Sequence, residues 1–406
     1  MSDDLGLFSD DAGERPYGRR SARHDRQRVR RRRRRRWVTA LAGLFVLVLV
    51  GGGVVYGASQ LLKIGSFEDY EGAGEGSVVI EVKSGDTTSA IGSTMRQQDV
   101  VASTKAFTQA AEQSKDIASV QPGFYLMKSR MSGAAAVERI LDPSAKVGAL
   151  EIRGGMRLED QAAPNGERTP GILSLLAEAS CAEIDGQEQC VSSEELHRVA
   201  ETADLAALGV PEWAIGPASQ AEPKRRLEGL LMPGLYDVKP GENAEELLRS
   251  VVESSAAQLE VAGLPQAAEG TGFTPYEVLT IASLAQSEGI AKDFEKVTRV
   301  VYNRVNEAQM PLQFDSTINY PLDKPTLLTN REDRERPGPY NSYQNQGLPP
   351  TPISSASKEA VTAAEKPAEG SWVYFVKCYQ DGTSCFSDTM EQHQAAIREA
   401  RERGAF

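Results

Sequence analysis

Histidine is nearly missing, with three in 406 residues, and the four cysteines show no CxxC spacing and no adjacent histidine. The usual metal-ligand clusters cannot be assembled from such a set, so no metal and no cofactor is expected. Long apolar runs are lacking except for one, which excludes a polytopic membrane protein. The balance of 40% hydrophobic and 25% charged residues excludes a disordered chain. No single small module has 406 residues, and two or three domains fit.

The one exception is residues 37–62, a run of 26 without a charge, Asn or His. As a helix it would reach about 39 Å, beyond the roughly 30 Å of a bilayer's hydrocarbon. Residues 1–36 carry thirteen arginines against six acidic residues, although the whole chain has a net charge of −12. An Arg-rich disordered arm directly before an apolar run predicts a single-pass cell-membrane protein with its N-terminus in the cytoplasm and residues 63–406 outside. A cleaved signal peptide is the rival reading, but its apolar region is usually about 7–15 residues long and does not follow such an arm. Arginine runs also bind nucleic acid or anionic lipid. Position against the span favours a topology signal, and no nucleic-acid partner is expected.

All four cysteines follow the span, as Cys181/Cys190 and Cys378/Cys385. These short spacings suit local disulfides in an oxidising compartment. The second pair flanks Asp381-Gly382, and a two-residue hairpin turn there would set its cysteines opposite each other. Residues 63–76 are Gly-rich and read as a flexible tether. A strand, glycine turn and helix pattern recurs at 81–86, 151–156 and 237–242, with helices expected at 88–97 and 244–252. Generic turn chemistry and true internal repetition both fit. Residues 144–220 read as a connecting region, with helical patches at 173–177 and 193–207 and an insertion near Cys181.

Thr274-Pro275-Tyr276-Glu277 is a capping box with proline at the first helical position, so a helix begins at Pro275, and Gly289 ends it. Val278, Ile281, Ala282, Leu284 and Ala285 form its apolar face. Glu288 lies three residues after Ala285 and four after Leu284, so its carboxylate projects from that face. Desolvation there and the negative end of the helix dipole both raise a carboxyl pKa, as a general acid requires.

The sequence LTIASLAQSEG at 279–289 is followed by EKVTRVVYNRV at 295–305, expected to be a helix over 294–306, and by LQFDSTI at 312–318. With LEGLLMPGLY at 227–236, PYNSYQNQGLPPTPI at 339–353, VYFV at 373–376 and a closing Glu391-Gln392-His393, the chain resembles the YceG-like family, the endolytic murein transglycosylases often called MltG. The resemblance covers most of residues 77–406 in order. It implies an extracytoplasmic lyase that cuts peptidoglycan glycan strands internally beside the membrane, with peptidoglycan synthases as further partners. It implies Glu288 as the catalytic acid. Many members carry another acid two residues earlier, where this chain has Gln286. A LysM-like subdomain at 77–143 and a catalytic domain at 221–406 are implied, giving an α+β chain with one N-terminal transmembrane helix.

A lytic transglycosylase can use one carboxylate, first as acid and then as base, with no water or metal consumed. A hydrolytic muramidase would need a second acid, for which Asp315 is the candidate. Substrate-binding candidates are Glu228, Asn303, Arg304, Gln313, Asp315, Ser316, Tyr340, Asn341 and Tyr343. Tyr302 and Tyr320 are further rings that could stack on sugar. Residues 322–355 exceed ordinary connection lengths and read as a cleft wall. His393 reads as a structural hydrogen-bonding residue. A non-enzymatic wall-binding scaffold is the third class.

Overall fold

The computed structural model describes residues 67–162, 166–184, 186–326 and 329–405. The arginine arm and the apolar run at 37–62 lie outside these. Among the described residues, no helix is long and apolar enough to cross a membrane. From Glu68 onward the chain mixes helices and short strands.

The first part runs β1 (Ala73–Val82), α1 (Thr88–Gln97), α2 (Thr104–Ala111), β2 (Gly123–Met131), α3 (Gly133–Leu141) and β3 (Lys146–Val147). Its strands form one antiparallel sheet in the order β1-β2-β3. Ile80, Met95, Phe107 and Met127 are buried in a core of their own. Serine and threonine caps set the helix starts, with Thr87, Ser103 and Ser132 each accepting from a backbone N–H three residues on.

The expected tether at 63–76 is corrected over its described part. Ala73 pairs with Met131 and Glu75 with Ser129, Asp69 Oδ1 accepts from Gly133 N at 2.9 Å, and Tyr70 donates to Asp99 at 2.7 Å. Gly74 has φ +77°, and a Cβ there would come within 2.5 Å of Ser129 O. This glycine permits close strand approach rather than looseness.

Beyond β3 come β4 (Ala149–Ile152), the small β5 (Gln161–Ala162) and β6 (Arg168–Thr169) hairpin, α4 (Ile172–Ala179), and the β7 (Ala182–Ile184) and β8 (Gln187–Gln189) hairpin. There Cys181 and Cys190 are joined. Next are α5 (Ser193–Thr202), α6 (Glu212–Gln220), β9 (Gly234–Asp237), antiparallel to β4, and α7 (Ala244–Ala262). The recurring strand, turn and helix pattern holds at 81–86 and 237–242. It fails at 151–156, where the turn at Gly155 leads into β5 instead of a helix. In the sheet of β4 and β9 the copies at 151–156 and 237–242 leave from opposite ends, since Ile152 pairs with Gly234 and Asp237 with Ala149.

The centre is α8 (Pro275–Glu288), surrounded by α6, α9 (Phe294–Tyr302), α10 (Asp315–Asn319) and α12 (Lys358–Glu365), with α11 (Arg331–Glu335) in the long loop before α12. Val278, Leu279, Ile281, Ala282, Leu284 and Ala285 are all fully buried. The apolar stripe read from sequence is therefore a helix enclosed on every side as far as Ala285, with the last turn, 286–288, emerging from the core.

The chain closes with the hairpin of β10 (Tyr374–Lys377) and β11 (Ser384–Ser387) and with α13 (Met390–Glu402). Its register differs from the expected one. Val376 pairs with Cys385, and Cys378 N and Tyr379 N both donate to Thr383 O, at 2.8 and 3.2 Å. The turn is thus 379–382, with Asp381 accepting from Thr383 N, and the bonded Cys378 and Cys385 sit diagonally with Cα atoms 5.5 Å apart.

Candidate active site

The bounds of α8 follow from local chemistry. Thr274 Oγ1 accepts from Glu277 N at 3.3 Å and Glu277 Oε2 from Thr274 N at 2.8 Å, closing the capping box. At the other end Gly289 N donates to Ala285 O, and Glu288 is the last helical residue. Its side chain points at the start of α10, where Ser316 N donates to Glu288 Oε1 at 3.2 Å.

Burial pushes the Glu288 carboxyl above its ordinary range; contacts with Ser316 oppose this, the nearby Asp315 charge adds to it, and the Arg304 charge opposes it. The helix's own C-terminal dipole acts in the raising direction. The residue nevertheless keeps an open flank. A carboxyl whose pKa is raised and which keeps access to solvent is suited to proton donation.

Arg304 lies in a π-helical turn, Asn303–Glu307, that continues α9. An ordinary helix was expected through 306, and the extra residue per turn re-aims the side chains. Arg304 is buried, donating from Nε to Val373 O at 2.6 Å and from Nη1 to Leu312 O. Both bonds hold a fixed positive charge near Glu288. Asp315 accepts from the Tyr343 hydroxyl at 2.6 Å and lies 3.7 Å from Arg334 Nη2. Burial and the Asp315 bond push the Tyr343 phenol up, so it stays a donor.

Gln313 is exposed, with φ +52°, and its N–H donates to Ser342 O at 2.9 Å. Such a conformation in a non-glycine residue costs on the order of 1–3 kcal/mol and marks a position fixed by its surroundings. Ser316 Oγ is buried without a hydrogen-bond partner of good geometry. Glu288, Arg304, Asp315, Ser316 and Tyr343 thus gather around the end of α8, while Gln313 is tied by its backbone to the long loop.

The other candidates are corrected. Asn303 is 1% exposed and donates to Gly370 O and Trp372 O, so it has no surface to offer a sugar. Asn341 is buried, donating to Arg334 O and Arg336 O, and Tyr340 is buried with its hydroxyl on Thr351. Tyr302 and Tyr320 are buried too, with hydroxyls on Ala364 O and Glu228. Glu228 is 2% exposed, accepts from Leu158 N at 3.3 Å and from Tyr320 at 2.9 Å, and is pushed up to about 7 by burial. His393 Nδ1 is buried with no partner and its ring stacks on Tyr374, which corrects the hydrogen-bonding reading.

Sequence reasoning missed three supports. Gln286 Oε1 accepts from Ser357 N at 3.0 Å, and a Cβ on Gly154 would meet the Gln286 amide at 2.8 Å, so this side chain joins α8 to the start of α12. Ser342 Oγ binds Phe314 N and Thr317 Oγ1, tying the long loop to α10. Ser283 Oγ accepts from Ile353 N. All three are long-range contacts of ordinary polar residues, which carry no local signal. Among the described residues, the one compact His/Cys/Asp/Glu group of metal-binding size is Cys181, Glu188 and Cys190, whose sulfurs are already bonded to each other.

A relative named endolytic murein transglycosylase, from Bacillus subtilis (strain 168), is 26% identical over 352 residues, covering 86% of this chain and 90% of the relative. One of the same name from Streptococcus pneumoniae serotype 2 is 25% identical over 371 residues, covering 88% of this chain and 64% of that longer protein. A crystal structure of a YceG-like protein from Listeria monocytogenes has a TM-score of 0.51 at 22% identity, covering 79% of this chain and 98% of that one, and shows a shared fold. The YceG-like family model matches residues 80–399, taking in both cores and every element around Glu288, and the chain belongs to that family.

Proposed function

We propose that the chain is a membrane-anchored endolytic transglycosylase that cleaves bonds between N-acetylmuramic acid and N-acetylglucosamine in nascent peptidoglycan, without water. The observation that carries this reading is the desolvated Glu288 carboxyl, aimed at Ser316 N and kept partly open. Glu288 gives its proton to the glycosidic oxygen, and the bond from muramic C1 to that oxygen breaks as the oxygen leaves as the hydroxyl of the neighbouring sugar. The Glu288 carboxylate then takes the proton of the muramic C6 hydroxyl as its oxygen bonds to C1. A 1,6-anhydro ring results and the acid is regenerated.

The buried Arg304 charge stabilises the transient carboxylate, and Asp315 favours its reprotonation. Gln313 and Tyr343 supply polar contacts for the strand, and Ser316 acts through its N–H on Glu288. Tyr343 and Arg334 bind Asp315, which supports an orienting role for it over that of a second acid. The apolar run at 37–62 supports the anchor and an extracytoplasmic catalytic part. The 77–143 part, as a LysM-like unit, would hold glycan while strands emerge from synthases, so that cutting terminates their elongation.

Mass spectrometry of glycan strands digested by the whole chain tests this. Anhydro-muramic ends, lost with Glu288→Gln, are the expected result. Reducing muramic ends would instead assign the hydrolytic route through Asp315, and glycan binding without cleavage the scaffold.

A further inference from the structure

Glu228 and Glu288 hold opposite ends of the same short helix. At the start of α10, Ser316 N donates to Glu288 Oε1 at 3.2 Å. Just past its end, Tyr320 N donates to Ser316 O at 2.9 Å, and the Tyr320 hydroxyl donates to Glu228 Oε2 at 2.9 Å. Arg157 Nη1 donates to the Asn319 and Tyr320 carbonyls at 3.5 and 3.2 Å. The Arg225 guanidinium lies 4.4 Å from the Tyr320 ring centroid and 4.8 Å from that of Tyr340. Two arginines and two tyrosines thus crowd the tail of α10, where Glu228 bonds Tyr320, beside a cavity of about 80 Å³.

A buried carboxyl is an expensive way to hold a helix unless the placement matters, because an apolar residue there would carry no such desolvation cost. Five residues cannot fix their own orientation. The helix is positioned by what grips its ends, and the amide that meets Glu288 is on the first of its turns. We infer that Glu228 is a positioning residue that acts through Tyr320 and α10 to set the Ser316 amide against Glu288. The inference rests on the proposed role of Glu288.

The test combines single-residue amide exchange with cleavage kinetics in the whole chain, Glu228→Leu and Tyr320→Phe. Both variants should speed exchange of the Ser316 amide about tenfold or more while amides of α8 keep wild-type protection. Both should lower kcat about tenfold with KM within about twofold, as expected for a misplaced catalytic group. Unchanged Ser316 exchange would overturn the inference, and so would faster exchange with wild-type kcat. Wild-type protein that cleaves no strand would sink the proposed function instead, leaving the exchange result to decide whether Glu228 sets this amide.

Discussion

Glu288 is under opposing charges. Arg304 draws its pKa down and Asp315 pushes it up, while burial sets the raised baseline. Cleavage should therefore fall as pH rises through the Glu288 pKa, since the acid must begin protonated. Asp315→Asn should move that alkaline limb to lower pH, and Arg304→Met should move it higher, both read from the pH dependence of kcat/KM. Arg304→Met also strips donors from the buried Leu312 carbonyl and the half-buried Val373 carbonyl and should cost about 2 kcal/mol or more in denaturant unfolding.

Glu228 gives a separate pH signature in stability. Its folded pKa is raised from 4.5 to about 7, so the fold favours the neutral acid. That stability is full below the unfolded carboxylate pKa and is lost as pH rises through 7, a change of roughly 3 kcal/mol. Glu228→Gln should flatten this part of the stability curve, measured by denaturation between pH 4 and 8.

At the scale of elements, α8 was legible because every signal that bounds it is local: the Thr274–Glu277 box, Pro275 and Gly289. The placement of Glu288 on its inner face followed from helical spacing alone. Its partner on α10 did not, since Ser316 lies 28 residues on and nothing near it announces the contact. The tyrosines illustrate the same limit: ring chemistry fits sugar stacking or core packing equally, and only burial separates Tyr343 from Tyr302, Tyr320 and Tyr340. The C-terminal hairpin was foreseen, but not its register, because Asp381 caps Thr383 within a four-residue turn. Replacing both Cys378 and Cys385 by serine should cost about 2 kcal/mol. The loss should concentrate in the hairpin that Asp293 holds through Ser384 N, as read by hydrogen exchange.

The whole molecule has two principal cores, one around Phe107 and Met127 and one around α8. A division near residue 143 was implied only by the resemblance to the YceG-like family, which did not reveal contacts such as Lys146 with Asp237 at 3.3 Å. Phe107 is fully buried in the first core, so Phe107→Ala should cost about 3–5 kcal/mol. Exchange should rise across β1, β2 and α1 to α3 while α8 stays protected. Equal loss of protection in α8 would mean the two cores unfold as one.

Cleavage by Glu288 depends on a single proton, and carbon NMR of its carboxyl, assigned by its disappearance in Glu288→Gln, observes that proton without relying on any substrate. Titration above the usual carboxylate value of about 4.3 is expected, falling toward it in Asp315→Asn. Titration at or below that value in the wild-type chain would contradict that role.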